Sequence, residues 1–123
     1  RLMDMFNQND RNLARQTFSL TLRAIIGQML LPCIKEGIKR IPAVEIILAH
    51  PEVKKLIAEG HEVDLPNVIR NCQEEGMQDL TDSLCKLVKN GSIDPKDAYK
   101  CAPNVDELKM AIKGIRASTG GIL

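Results

Sequence analysis

Apolar residues recur at three- and four-residue spacing over residues 10 to 28. Phe18, Leu22, Ile25, Ile26 and Met29 fall on one stripe, which predicts an amphipathic helix. Asp10 stands where a side chain can cap its start. Pro32 disfavours helical geometry at Leu31, so the helix is expected to end before that point. Two strand candidates follow, Met29 to Ile34 and Ile41 to Ala49, the second rich in β-branched residues. The polar stretch from Lys35 to Arg40, with Gly37, fits the loop of a hairpin. Pro42 then belongs at a strand end or edge, and Glu45 is expected to point to an exposed side.

From Pro51 onward the spacing is helical. Pro51 suits a first helical position, Val53, Leu56 and Ile57 share a face, and Gly60 ends the helix. Asp64 is placed to cap a second helix with a stripe of Leu65, Val68, Ile69 and Cys72. Met77, Leu80, Leu84, Leu87 and Val88 continue that spacing. Gly76 interrupts it at a cost of about 1 kcal/mol relative to Ala, leaving one helix or two. Asn90-Gly91 stops the run. Asp94-Pro95-Lys96-Asp97 opens a further short helix that Pro103 closes. Asn104 starts the last, with Val105, Leu108, Ile112 and Ile115 on one face and Glu107 positioned as in a capping box. Ser118 to Gly121 reads as a frayed, flexible tail. The fold class is therefore mainly α with a short β-hairpin.

Composition narrows the function classes. The 123 residues carry 17 basic and 16 acidic side chains, a formal net charge of +1, which gives no basic groove for nucleic acid. Phe6, Phe18 and Tyr99 are the whole aromatic set, too few for a base-stacking platform. No apolar run is long enough to cross a membrane, and the N-terminus lacks the apolar centre of a signal peptide. Leu2, Met3, Met5 and Phe6 are apolar from the outset and call for burial, as in a chain cut from something longer. Cys33, Cys72, Cys85 and Cys101 form no C-x-x-C pair, and no His stands at zinc-ligand spacing. They are expected as free thiols acting as small hydrophobes, with no metal site. His50 and His61 flank the helix from 51 to 60 and read as a terminal and a turn residue rather than a pair. No Ser/His/Asp or Cys/His arrangement suggests catalysis. No G-x-x-x-x-G-K-[ST] is present to cradle a phosphate. The chain by itself is thus expected to be no enzyme and to hold no cofactor.

Six blocks give the chain a resemblance. Pro51-Glu52-Val53-Lys54-Lys55-Leu56-Ile57-Ala58-Glu59-Gly60 resembles the A-I-R-N-L-I-R-E segment of the PilT family of pilus-retraction ATPases. Leu22 to Pro32, with Arg23 and Gln28, resembles L-R-A-V-I-S-Q-x-L-L-P. Lys39 to Ile46, with Glu45, resembles G-R-V-A-A-x-E-I. Gly76-Met77-Gln78-Asp79-Leu80 resembles G-M-Q-T-L/M, and Asp94 to Ala98 resembles S-P-E-D-A. Arg1 to Phe6 is similar to R-I-I-D-V-F, which in the family follows the histidine-containing catalytic box.

The resemblance implies a bacterial, hexameric, RecA-like motor that uses ATP and Mg to retract type IV pili in twitching motility. Its catalytic boxes would precede Arg1. Residues 1–50 would be the last helix and strands of the RecA-like core, and residues 51–123 a C-terminal helical domain. The partners implied are further copies of the chain in a homo-hexamer and the inner-membrane pilus machinery, with no nucleic acid. The location implied is cytoplasmic, peripheral to the inner membrane. The coupling surface implied is Lys54, Lys55, Leu56, Ile57 and Glu59. Three departures stand out. Lys54 keeps the family's charge without the planar fork of Arg. Ala58, one turn on, replaces the second Arg, and Pro42 replaces a small strand residue. Related type II and type IV secretion or pilus-assembly ATPases often carry a tetracysteine zinc insertion. Only Cys33 stands at that place, which favours the retraction branch. The alternatives are a C-terminal domain of such a secretion or assembly ATPase, or a free-standing helical adaptor.

Overall fold

A computed structural model describes residues 2–114. Among these the chain is mostly helical, with one two-stranded antiparallel hairpin. After a 3-10 turn at Leu2–Met5 come α1 (Gln8–Thr21), β1 (Ala24–Pro32), β2 (Arg40–Leu48), α2 (Pro51–Glu59), α3 (Leu65–Asn71), α4 (Leu80–Lys89), α5 (Pro95–Cys101) and α6 (Val105–Ile112). Short 3-10 turns at Glu62–Asp64 and Gln73–Glu75 flank α3. Ile115 and the segment from Ser118 to Gly121 lie outside the described residues.

The first helix is shorter than its apolar stripe predicts. It ends at Thr21, and Leu22 turns to ψ 133° while its amide still caps Phe18 O. Ile25 and Ile26 therefore lie in β1, not on the helix. Both are β-branched and lose side-chain freedom in a helix, and here they pair into the hairpin instead. The first strand accordingly starts five residues before the predicted Met29. Asp10 does not cap α1; Asn7 holds the N-cap position without a side-chain bond. Glu45 is half-buried rather than on an exposed side.

The break near Gly76 is real. Gly76 adopts φ +96° at the end of the 3-10 turn, and α3 and α4 are separate helices. Met77 does not continue a helical stripe. It is buried at the close of the turn, and the next residue, Gln78, pairs with Ile46 through two backbone hydrogen bonds of 2.8 and 3.0 Å. Capping accounts for most of the remaining boundaries. Gly60 closes α2 in the left-handed region at φ +76°. Asp79, Asp94 and Asn104 accept from the amides of Asp82, Lys96 and Glu107. Asp64 stands at the N-cap of α3 but makes no side-chain cap bond there.

Two compact units emerge, each drawing on both halves of the sequence. Unit 1 comprises Arg1–Ile26 with Ile46–Gln78. Its core is Leu22, Ile47, Val53, Ile57, Val68, Ile69, Cys72 and Met77, with Phe18, Ile25, Leu48, Leu56 and Leu65 packed against it. Within it α1 packs on α2. Unit 2 comprises Gly27–Glu45 with Asp79–Leu123. Leu31, Ala43, Leu84, Cys85, Ile93, Ala98 and Leu108 form its core, and α4 packs on α6. The Val44 amide donates to Ser83 Oγ at 2.9 Å, fastening β2 to α4.

Gly76 tests the account of the break between α3 and α4. Its positive φ penalises any Cβ by about 1–2 kcal/mol, although the space itself would hold one, with Leu48 Cδ1 at 3.9 Å. Gly76→Ala is expected to lower the unfolding free energy by about that amount in urea titration. No loss would mean that the turn does not need a left-handed residue.

Candidate functional site

Helix α2 carries most of the predicted surface. Its N-cap is His50, whose Nδ1 accepts from the Glu52 amide at 3.3 Å. Pro51 takes a first-turn place that needs no amide donor. The helical period divides the nine residues. Val53 and Ile57 are buried, and Leu56 packs partly against the same core. Lys55, Ala58 and Glu59 are exposed, and Lys54 is half-buried. The predicted set is thus two populations. Leu56 and Ile57 hold the helix down, while Lys55, Glu59 and the outer part of Lys54 face outward. Ala58 lies between them and contributes no charge.

The C-terminal end of α2 is tied by a residue that the sequence did not single out. Arg15 of α1 donates to the Ile57 carbonyl at 3.2 Å and also bonds the Glu62 carboxylate. A helix end leaves carbonyls without partners, and a guanidinium supplies donors in a fixed fork. The Arg15 guanidinium also lies against Gly60, where a Cβ would meet its Cζ at 3.4 Å. Burial pushes the Glu62 carboxyl up, but the hydrogen bond and charge of Arg15 outweigh it and hold the group below the usual carboxylate range. The contact joins residues 42 and 47 apart in sequence, so no local spacing announces it. Glu59 lies beside His61, whose Nδ1 is 3.6 Å from its carboxylate.

The other predicted positions are spread over the fold. Arg23 is exposed, and its carbonyl accepts from the Ala49 amide at 3.0 Å. Gln28 is exposed on β1. Glu45 lies over Gly27 across the hairpin, its Cβ and Oε2 about 4 Å from where a Gly27 Cβ would stand. Burial, then the charge of Asp79, raises its carboxyl above the ordinary value. Gly76, Met77 and Gln78 form the turn and bridge already described. Arg23 and the Gly76–Gln78 turn belong to unit 1 with α2, whereas Gln28 and Glu45 belong to unit 2. His50 and His61 occupy a helix cap and a turn, as expected, and do not pair with each other. All four cysteines are free, with Cys72 and Cys85 buried.

The N-terminal turn and α1 leave an apolar groove of about 500 Å³ lined by Leu2, Met3, Phe6, Leu13 and Phe18 among others. Leu2, Met5 and Phe6 remain exposed despite their apolar character.

Comparison with known proteins places these features. The chain is 33% identical over 108 residues to a twitching motility protein of Neisseria gonorrhoeae, covering 88% of this chain and 29% of that protein. It is 29% identical over 113 residues to the type IV pilus ATPase PilU of Pseudomonas aeruginosa, covering 92% of this chain and 29% of PilU. Its fold matches a crystal structure of the pilus retraction motor PilT with bound ADP at a TM-score of 0.71 and 33% identity, over 89% of this chain and 29% of that one. It also matches the ATPase DotB of Legionella pneumophila at 0.61 and 22% identity, over 82% and 27% of the two chains, a likeness of fold. No protein-family model matches the chain. The chain spans less than a third of the length of these relatives.

The Arg15 anchor yields a pH-dependent prediction. A depressed carboxyl stabilises the fold above its unfolded pKa of about 4.3 and loses that contribution as pH falls through the lower folded value. The Glu62 side chain is 42% exposed, so solvent screening limits the pair to roughly 0–1 kcal/mol. The bond to the Ile57 carbonyl adds about 1 kcal/mol or more. Arg15→Met is expected to cost about 1–2 kcal/mol at pH 7 in chemical denaturation, and Glu62→Gln less. The gap between wild type and Glu62→Gln should close on acidification below about pH 4. A gap that widens on acidification would contradict the anchor. In sequence over nearly nine-tenths of its length and in fold, the chain is PilT-like.

Proposed function

We propose that this chain is the C-terminal portion of a hexameric, ATP-driven motor that retracts type IV pili. It serves contacts between protomers and coupling to the pilus machinery rather than ATP hydrolysis. The observation that carries this reading is the likeness to the gonococcal twitching motility protein, 33% identical across 88% of the chain, joined to the fold match with the retraction motor. In this reading residues 1–50 end a RecA-like core and residues 51–123 form the C-terminal helical domain. The compact units cut across that division, since each draws on both segments. The motor sits in the cytoplasm against the inner membrane, and core surface of the longer protein covers the apolar groove at Leu2, Phe6 and Leu13.

ATP and Mg belong to the longer motor. The residues of this chain do not fit a nucleotide phosphate. The sequence has no G-x-x-x-x-G-K-[ST]. Gly37, Gly60, Gly76, Gly91 and Gly114, the described glycines with positive φ, stand singly at turns and helix ends rather than together in a phosphate loop.

Coupling falls to the outer face of α2. Lys55 and Glu59 are exposed one turn apart, held by a helix that buries Val53 and Ile57 on its other side. Exposed charges of this kind tune recognition and rate of encounter more than stability. The test is Lys55→Glu together with Glu59→Lys in the full motor, reading ATP turnover and pilus retraction side by side. Turnover is expected to stay within about twofold while retraction falls at least tenfold. Normal retraction with normal turnover would remove the coupling role.

A further inference from the structure

We propose that His50, Cys72 and Glu75 form a binding site for one divalent cation of the zinc class. The imidazole, thiol and carboxylate come from three places in unit 1: the N-cap of α2, the C-cap of α3 and the 3-10 turn after it. One ligand atom from each lies within 4.8 Å of the other two. This is independent of the coupling role of α2.

The backbone builds the arrangement. The Cys72 amide donates to the carbonyls of Val68 and Ile69, closing α3. The Cys72 carbonyl accepts from the Glu75 amide at 3.1 Å and faces the Met77 amide at 3.4 Å. Cys72 and Glu75 are thereby fixed on a single turn, which Gly76 closes in the left-handed region. His50 arrives from the far end of the β2–α2 connection, with its Nε2 3.9 Å from Glu75 Oε1. Cys72 is buried, His50 half-buried and Glu75 exposed, so an ion can enter from the Glu75 side.

The chemistry matches zinc. Imidazole nitrogen, thiolate and carboxylate are its ordinary protein ligands, and three of them leave a fourth position for water. A tetrahedral shell with bonds of roughly 2.0–2.3 Å sets its ligand atoms roughly 3.3–3.8 Å apart. His50 and Glu75 already stand 3.9 Å apart, and closing the remaining separations, at most 4.8 Å, asks for a movement of about 1 Å by the ligand side chains. Binding has to displace the Cys72 thiol proton, which burial, then the charges of Glu75 and Glu52, hold in place; the dication supplies the charge that offsets this cost.

The protons balance as follows. Cys72 releases its thiol proton to solvent as the sulfur–metal bond forms. With Nδ1 accepting from the Glu52 amide, the neutral His50 ring carries its proton on Nε2. Coordination through Nε2 sends that proton to solvent, and Nδ1 takes one up. The bond from Glu52 is then lost, which at 3.3 Å is a weak bond to lose. The cation replaces it, pinning the start of α2 to the end of α3.

The test is a Co²⁺ titration of the full chain, stripped of metal and reduced, followed by absorbance. One equivalent is expected to raise a thiolate-to-cobalt charge-transfer band, which Zn²⁺ then displaces. Cys72→Ser should abolish the band. Because Cys72 lies in the core, two gentler variants accompany it. His50→Asn keeps a capping side chain, and Glu75→Gln lies at an exposed position. Each should weaken cobalt binding at least tenfold while leaving the circular dichroism of the metal-free chain unchanged. No charge-transfer band in severalfold excess cobalt overturns the site, as does a band that persists undiminished in either gentle variant.

Discussion

The pairing of β1 with β2 is the constraint from which both cores follow. The base of the hairpin gives Ile25, Ile47 and Leu48 to the core of unit 1. The remainder gives Met29, Leu31, Ile41 and Ala43 to the core of unit 2. A slip of one residue would turn every one of these side chains to the opposite face. Three further hydrogen bonds hold β2 in place. In unit 1 Ile46 exchanges backbone hydrogen bonds with Gln78, and in unit 2 the Val44 amide is held by Ser83. Pro42 is tolerated because alternate residues of β2 turn their amides away from β1, as Val44 and Ile46 do, so its missing amide costs no bond between the two strands.

Within unit 1 the packing sets the posture of α2. Val53 and Ile57 are buried against the residues that β2 and α3 supply. Arg15 supplies donors to the carbonyl end, and His50 caps the amide end. A helix of nine residues is too short to persist on its own, so its charged outer face depends on these anchors. The same packing brings Cys72 and Glu75 next to His50, a closeness that comes from tertiary structure alone.

Local signals in the sequence were sufficient where the chain is punctuated by Gly, Pro or a capping residue. Pro51 and Gly60 bounded α2, Asn90-Gly91 ended α4, Asp94-Pro95 opened α5 and Asn104 opened α6. They failed where periodicity ran through a boundary. Leu22, Ile25 and Ile26 satisfy a helical stripe, yet strand pairing claims the last two, because a helical count is blind to a partner strand fifteen or more residues away. Met77 misled for the same reason: its apolar side chain fits the stripe, but the left-handed Gly76 has already turned the backbone out of helix. Glu45 looked like a residue for an exposed side and is instead half-buried over Gly27. On the α2 face, the split between buried Leu56 and Ile57 and exposed Lys55 and Glu59 follows from helical period and was legible. The Arg15 anchor and the His50, Cys72 and Glu75 grouping were not, since each joins residues more than twenty apart along the chain.

On the reading proposed above, this chain presents surfaces, and the nucleotide chemistry belongs to the longer motor. The PilT-like fold accounts for the helices and the hairpin, and the positive-φ glycines among the described residues stand singly at turns and helix ends. Calorimetric titration of Mg-ATP into the full chain tests this most directly. The account predicts only heats of dilution. Tight, stoichiometric binding would contradict it, because it would require a phosphate site that neither the sequence nor the described residues provide.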